Sequence, residues 1–180
     1  MKKLLLLSAI ALVTIGVKAQ DDKSKRPSPP AKVTETIASG AVITIDYSQP
    51  AVKGREIGKE IAPYGKVWRT GANEATVFEV SKDVKIGAGP GGNAEYTGKP
   101  LPAGKYGLFT IPGKDEWVII FNKVPGQWGA YKYAEADDAL RIKVKSGKAP
   151  QFTERMTFTV EKSGKVTLLW GNTAVDFTVQ

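Results

Sequence analysis

The chain has no histidine and no cysteine among its 180 residues. Without histidine there is no Ser-His-Asp triad, and the commonest general base is gone. Without cysteine there is no thiolate nucleophile, no disulfide and no zinc site of the usual type. Also missing are a Gly-x-Ser-x-Gly elbow, a phosphate-cradling loop ending in Gly-Lys-Ser/Thr, and a dinucleotide fingerprint. Amphipathic helices are scarce too: only Tyr131 to Ala139 could hold a turn or two. No catalytic residue, cofactor or metal is expected, and non-catalytic roles take precedence.

Carboxylates keep one enzymatic route open. Glycoside hydrolysis needs only two Asp or Glu at a suitable separation. The candidates are Asp46, Glu74, Glu79, Asp115, Glu116, Glu135, Asp137 and Asp138. Glu135-Ala-Asp-Asp138 matches no calcium-loop spacing and reads as a solvated acidic turn.

Lys2 and Lys3 precede an apolar run, Leu4 to Val17, and Val17-Lys18-Ala19 offers a cleavage site before Gln20. This is the three-part pattern of a secretory leader. The run is shorter than the ~20 residues that span a bilayer. Residues 1–19 are therefore expected to be removed on export to the periplasm or beyond, with a retained anchor as the alternative. No transmembrane segment would remain, and no cysteine follows the site, so a lipoprotein is not expected. Residues 20–32, polar and proline-rich, read as a disordered tether. Residues 33–180 form a single expected domain, long enough to bury roughly 68–70% of its unfolded surface. The formal charge of +8 falls to +5 without Lys2, Lys3 and Lys18, and the tether's four basic and two acidic residues leave the domain at +3. That modest excess gives no reason to expect a nucleic-acid partner.

Period-two alternation dominates what is present. Ile43, Ile45 and Tyr47 share one face of 41–47, and Met156, Phe158 and Val160 share one face of 155–160. Similar runs occur at 76–80, 84–86, 105–111, 117–122, 140–145, 165–170 and 174–179. Turn residues stand between many of them: 112–116, Ser163-Gly164 and Gly171-Asn172. The expected fold is all-β: an antiparallel two-sheet sandwich of Greek-key or jelly-roll type with about ten strands. A lipocalin-like barrel is the alternative, but the long connections 50–68 and 125–139 suit Greek-key crossings better. Leu101-Pro-Ala-Gly-Lys-Tyr106 resembles a tyrosine corner, in which the phenol bonds back to the upstream backbone. Tyr106 is accordingly assigned to the fold.

Four segments carry a family resemblance: Tyr64 to Thr76, Leu101 to Tyr106, Phe109 to Trp117, and Asn122 to Tyr131. With Val42 to Gly54 they resemble the bacterial domain-of-unknown-function family 2911, from about Lys32 to the C-terminus. The resemblance implies an exported bacterial protein and hands over no catalytic residues. Gly87 to Lys99 is longer and richer in glycine than the resemblance implies; Gly87 to Gly92 reads as a mobile loop.

One stretch, Pro63-Tyr-Gly-Lys-Val-Trp-Arg-Thr-Gly-Ala-Asn-Glu-Ala-Thr76, gathers aromatic and polar side chains around two glycines. If 67–70 is extended, either Trp68 or Arg69 enters the interior. As architecture, Arg69 and Glu74 would clamp the loop, Asn73 would shape it, and Trp68 would plug one end of the sandwich. As a site, Trp68, Arg69, Asn73 and Glu74 would join Trp128 and Tyr131 of the second aromatic loop to grip a glycan or small polar ligand. Both readings stay open on sequence alone. Three roles follow: a non-catalytic binding domain, a structural or protein-interaction domain, and a carboxylate glycosidase.

Overall fold

A computed structural model of the chain describes residues 22–89 and 94–180. The expected leader, residues 1–19, lies outside them, as does part of the glycine-rich loop after Gly87. No helix among the described residues is long and apolar enough to cross a membrane.

The chain is all-β. The nine strands among the described residues are β1 (Pro30–Thr36), β2 (Val42–Ser48), β3 (Thr76–Val80), β4 (Val84–Gly87), β5 (Lys99–Leu101), β6 (Gly104–Ile111), β7 (Glu116–Asn122), β8 (Asp138–Val160) and β9 (Lys165–Val179). They form one sheet in the order β1-β2-β3-β6-β7-β8-β9-β4-β5, antiparallel at every pairing.

Two separate sheets and about ten strands are what alternation suggests, and the structure differs for a specific reason. Residues 140–145 and 155–160 are not separate strands but parts of the 23-residue β8. Its first part pairs with β7 and, from Ser146 on, it pairs with β9, with register shifts around Thr153. Bulges of this kind bend a strand without ending it. Gly171-Asn172 is likewise no hairpin. Gly171 takes φ +57° opposite Thr153, and both flanks of that pair run against β8 rather than each other. Ser163-Gly164 does turn β8 into β9.

The long β8 lets the sheet fold over its own face. Phe177 of β9 meets Phe121 of β7 at 5.8 Å and Phe78 of β3 at 6.1 Å. Phe158 of β8 meets Tyr47 of β2 edge-on at 5.0 Å. Ile43, Ile45, Phe78, Trp117, Trp170 and their neighbours are almost wholly buried there. Each such side chain stabilises the fold by roughly 1.5–3 kcal/mol. Alternation puts Phe109 and Ile120 on the opposite face of β6 and β7, where they form a small second core with Ala75. Val67, Ala130 and Tyr133 pack against it. This outer core seats the second aromatic loop.

The tyrosine corner is present: the Tyr106 hydroxyl donates to the Pro102 carbonyl at 2.8 Å. The expected tether is structured from Asp22 onward. Lys23–Lys25 form a 3-10 turn capped by Asp22, and β1 starts at Pro30. Asn73 and Arg155 donate to the carbonyls of Ser28 and Pro27, and Gln49 N–H donates to Pro29. Proline-rich composition misled here because proline is tolerated at the start of an edge strand.

Candidate functional site

Trp68 and β3 lie one after the other along the same side of β6. Trp68 exchanges both backbone hydrogen bonds with Thr110, at 2.7 and 2.9 Å, and β3 begins where Thr76 faces Leu108. Residues between them bulge outward, and Thr76 N–H closes the bulge on the Arg69 carbonyl at 3.1 Å. Thr70 and Asn73 turn the chain with φ of +53° and +59°. Asparagine tolerates that region, whereas a β-branched threonine is strained there. Thr70 is fully buried and held: its hydroxyl donates to Thr110 Oγ1, and its carbonyl accepts from Thr76 Oγ1 at 2.7 Å.

Trp68 faces inward. Its ring stacks on Trp170 and meets Trp117 edge-on at 6.3 Å. It is core, as the architectural reading has it, and it offers no plate to a ligand. Arg69 takes the opposite face. The expected Arg69–Glu74 clamp does not form, because Glu74 accepts from Lys23 at 2.9 Å and from Arg26 at 2.9 and 3.1 Å. Burial alone would raise the Glu74 carboxyl. The bonds from Lys23, its own backbone N–H and Arg26 outweigh it and hold the group at about 2. Arg69 is half-buried, and its guanidinium makes no hydrogen bond or ion pair among the described residues, with Nε wholly enclosed. Burial pushes this guanidinium below its ordinary value, and Tyr131 partly restores it.

The second aromatic loop docks on the first. Ala75 N–H donates to Gln127, Gly129 N–H donates to Asn73, and Glu74 pairs with Trp128 across a short antiparallel bridge. Asn73 meanwhile reaches Ser28 and Ser48. Gln127 is buried, donating to Val124 at 2.9 Å, while its Oε1 has no partner among the described residues. Trp128 is 59% exposed and Tyr131 is 86% exposed. The Arg26 guanidinium sits 5.9 Å from the Trp128 ring centre. Tyr131 lies over Gly129, where an added Cβ would come within 2.8 Å of its ring. The far end of the loop is pinned by Tyr133, whose hydroxyl donates to Asp138 at 2.7 Å and accepts from Arg141. Burial, with Asp138, pushes that hydroxyl up to about 12.

A groove of about 450 Å³ runs from Glu74 across the outer face of β2 and β3. Lys23 and Pro30 wall one side, Pro125 and Gly126 the other, with Thr44 and Val77 between. Nothing in the sequence singled out Lys23 or Arg26. Their link to Glu74 spans 48 residues in the case of Arg26.

The family model described as Protein of unknown function (DUF2911) matches residues 28–179, which hold all nine strands. The chain belongs to the DUF2911 family. No curated protein and no solved structure shows a significant match to it. Segments that carry the resemblance meet in this one corner of the DUF2911 domain: 64–76 lies against β6 at Thr110 and against 122–131 at Trp128.

The carboxylates of the DUF2911 domain divide by location. Asp46, Glu74 and Glu79 line the groove. Asp46 pairs with Lys32 at 2.8 Å and Glu79 with Lys105 at 3.2 Å. Asp115 and Glu116 sit at the β6–β7 turn. Glu135 and Asp138 face Arg141, and Asp137 ends the 3-10 turn Glu135–Asp137, whose C-cap is Asp138. No cluster of three metal-ligating side chains occurs among the described residues.

Proposed function

We propose that this DUF2911 domain is an exported, non-catalytic binding domain that grips a polar or carbohydrate-like ligand with the Trp128–Tyr131 loop. The observation that carries the reading is the exposure of two aromatic rings on a loop whose backbone is held on both sides. Large exposed rings with nearby polar groups suit the apolar faces and hydroxyls of a sugar. Glu74, Arg26 and Arg69 supply the polar groups, and the groove beside Glu74 has the volume for one or two sugar rings. Trp68 and Asn73 support the loop from beneath and do not reach the ligand.

A glycosidase reading is less well supported. Such a site needs a carboxyl kept protonated to act as general acid. Glu74, the groove carboxylate beside the aromatic loop, is held at about 2 and stays an anion.

Export rests on the leader pattern of residues 1–19. An N-terminus at Gln20 on protein recovered from the periplasm or medium is the expected result. Ligand binding is tested by tryptophan fluorescence across a panel of bacterial and plant glycans. Quenching that disappears in Trp128→Ala supports the proposal, and a silent panel counts against it.

A further inference from the structure

We infer that a second, smaller cavity of this domain binds a phosphate group, free or on a small ester, between Lys114 and Lys148. The cavity shares no residue with the groove beside Glu74, and neither Trp128 nor Tyr131 lines it. The inference is independent of the proposed function.

Four stretches far apart in the chain build this cavity of about 270 Å³, which is at the small end for ligand pockets. Ile57 and Tyr64 come from the first, Lys114 and the buried Trp117 from the second, Ser146 and Lys148 from β8, and Thr173 from β9. Local contacts hold the lining in place. The Tyr64 ring lies over Gly58, where an added Cβ would come within 2.2 Å of it, and Tyr64 N–H donates to the Gly58 carbonyl at 3.0 Å. Gly65 N–H donates to the Pro112 carbonyl at 2.8 Å, which ties Tyr64 to the β6–β7 turn. Ser146 holds the same turn from the other side: its N–H donates to the Asp115 carbonyl at 3.0 Å and its hydroxyl to the Lys114 carbonyl at 3.1 Å. Lys148 and Thr173 are direct cross-strand partners, so both project to one side.

Charge and donors select the ligand class. Lys114 and Lys148 form no ion pair among the described residues, and no carboxylate lines the cavity. The acids nearest in sequence stand outside it. Glu116 pairs with Lys143 at 3.6 Å, Glu56 pairs with Lys59 at 2.7 Å, Glu60 accepts from Glu56 N–H, and Asp115 follows Lys114 without joining the lining. The hydroxyls of Tyr64 and Thr173 make no hydrogen bond among the described residues. The cavity therefore offers two ammonium groups and two free hydroxyls, all of them donors, to one small ligand. A phosphate group matches this set: it carries about 1.5 to 2 negative charges at neutral pH and three strong acceptor oxygens. Lysine serves such a group as a point charge. A carboxylate would bring one charge to two ammonium groups, and a neutral sugar none.

The test titrates the purified protein with inorganic phosphate, glucose 6-phosphate, glucuronate and glucose, read by calorimetry and tryptophan fluorescence. At least one phosphate probe is expected to bind about tenfold tighter than glucuronate. Glucose accounts for any binding of the sugar body at the groove. Added salt should weaken the phosphate arms. Lys114→Gln and Lys148→Gln should each lower phosphate affinity about tenfold, the double variant should abolish it, and circular dichroism confirms that each variant is folded. Equal affinity for the two phosphate probes assigns the cavity to the free anion, and a tighter ester assigns it to a phosphorylated small molecule whose body lies on Tyr64 and Ile57. Glucuronate binding as tightly as both phosphates overturns the inference, as does phosphate affinity that survives the double variant. Silence of both phosphate probes overturns it too and leaves the glycan reading of the Trp128–Tyr131 loop untouched.

Discussion

Trp68 lies flat on Trp170, with ring centres 5.2 Å apart and planes within 10°. The pair joins the 63–76 stretch to β9, so the most conspicuous ring of that stretch is part of the core. Trp68→Ala should cost about 3–5 kcal/mol, read as a lower urea midpoint. Trp128→Ala should change stability by only about 0.5–1 kcal/mol, the scale of the Arg26 contact on its exposed ring. Equal losses from the two variants would refute this division of roles.

Tyr106→Phe removes one hydrogen bond to Pro102 and leaves the ring against Phe121. The expected loss is about 1 kcal/mol, or about 2–4 °C in melting temperature for a domain of this size. Calorimetry of the single variant decides it.

Glu74 makes stability depend on acid. Its carboxyl titrates at about 2 in the folded protein against an ordinary 4.5. The unfolded chain therefore takes up the proton first as pH falls. The contribution of Glu74 is complete above about pH 4.5 and is lost progressively as pH drops toward 2. Urea midpoints measured between pH 7 and pH 2 should fall less steeply in Glu74→Gln than in the parent, and parallel curves would contradict the assignment.

Arg69→Met separates architecture from recognition. A clamp with Glu74 would make the substitution strongly destabilising. With no partner among the described residues to strand and an enclosed Nε removed, the expected change is between neutral and about 1 kcal/mol of stabilisation. A sharp fall in melting temperature would restore the architectural reading.

Most strands were legible because their burial is one-sided. Ile43, Ile45, Phe78, Ile142 and Phe158 alternate with less buried neighbours, most of them polar, and that period survives in the fold. The tyrosine corner was legible for a related reason, since its bond spans four residues. Strand joins were not. Whether Gly171 ends a strand or kinks one depends on which partner lies opposite, and that partner, Thr153, is remote in sequence. β1 stayed hidden because Pro30 and the charges before it resemble a linker until β2 is placed beside them.

At the candidate site the aromatic loops were legible and their roles were not. Alternation showed that Trp68 and Arg69 take opposite faces, but both faces of β6 are covered, one by the main core and one by the Phe109–Ile120 core. Pattern alone cannot choose between two buried faces. Glu74 shows the same limit, for its partners come from the segment that composition marks as tether.

By itself the sequence determined the all-β class, the corner at Tyr106, the leader pattern and the want of histidine and cysteine chemistry, because these follow from residue identity and short-range spacing. Tertiary structure alone decided that one bent β8 makes a single sheet, that Trp68 is core while Trp128 and Tyr131 are open, and that Arg69 forms no ion pair among the described residues. Those outcomes depend on contacts between residues far apart in the chain, where side-chain volume and charge balance act only after the backbone has brought the partners together.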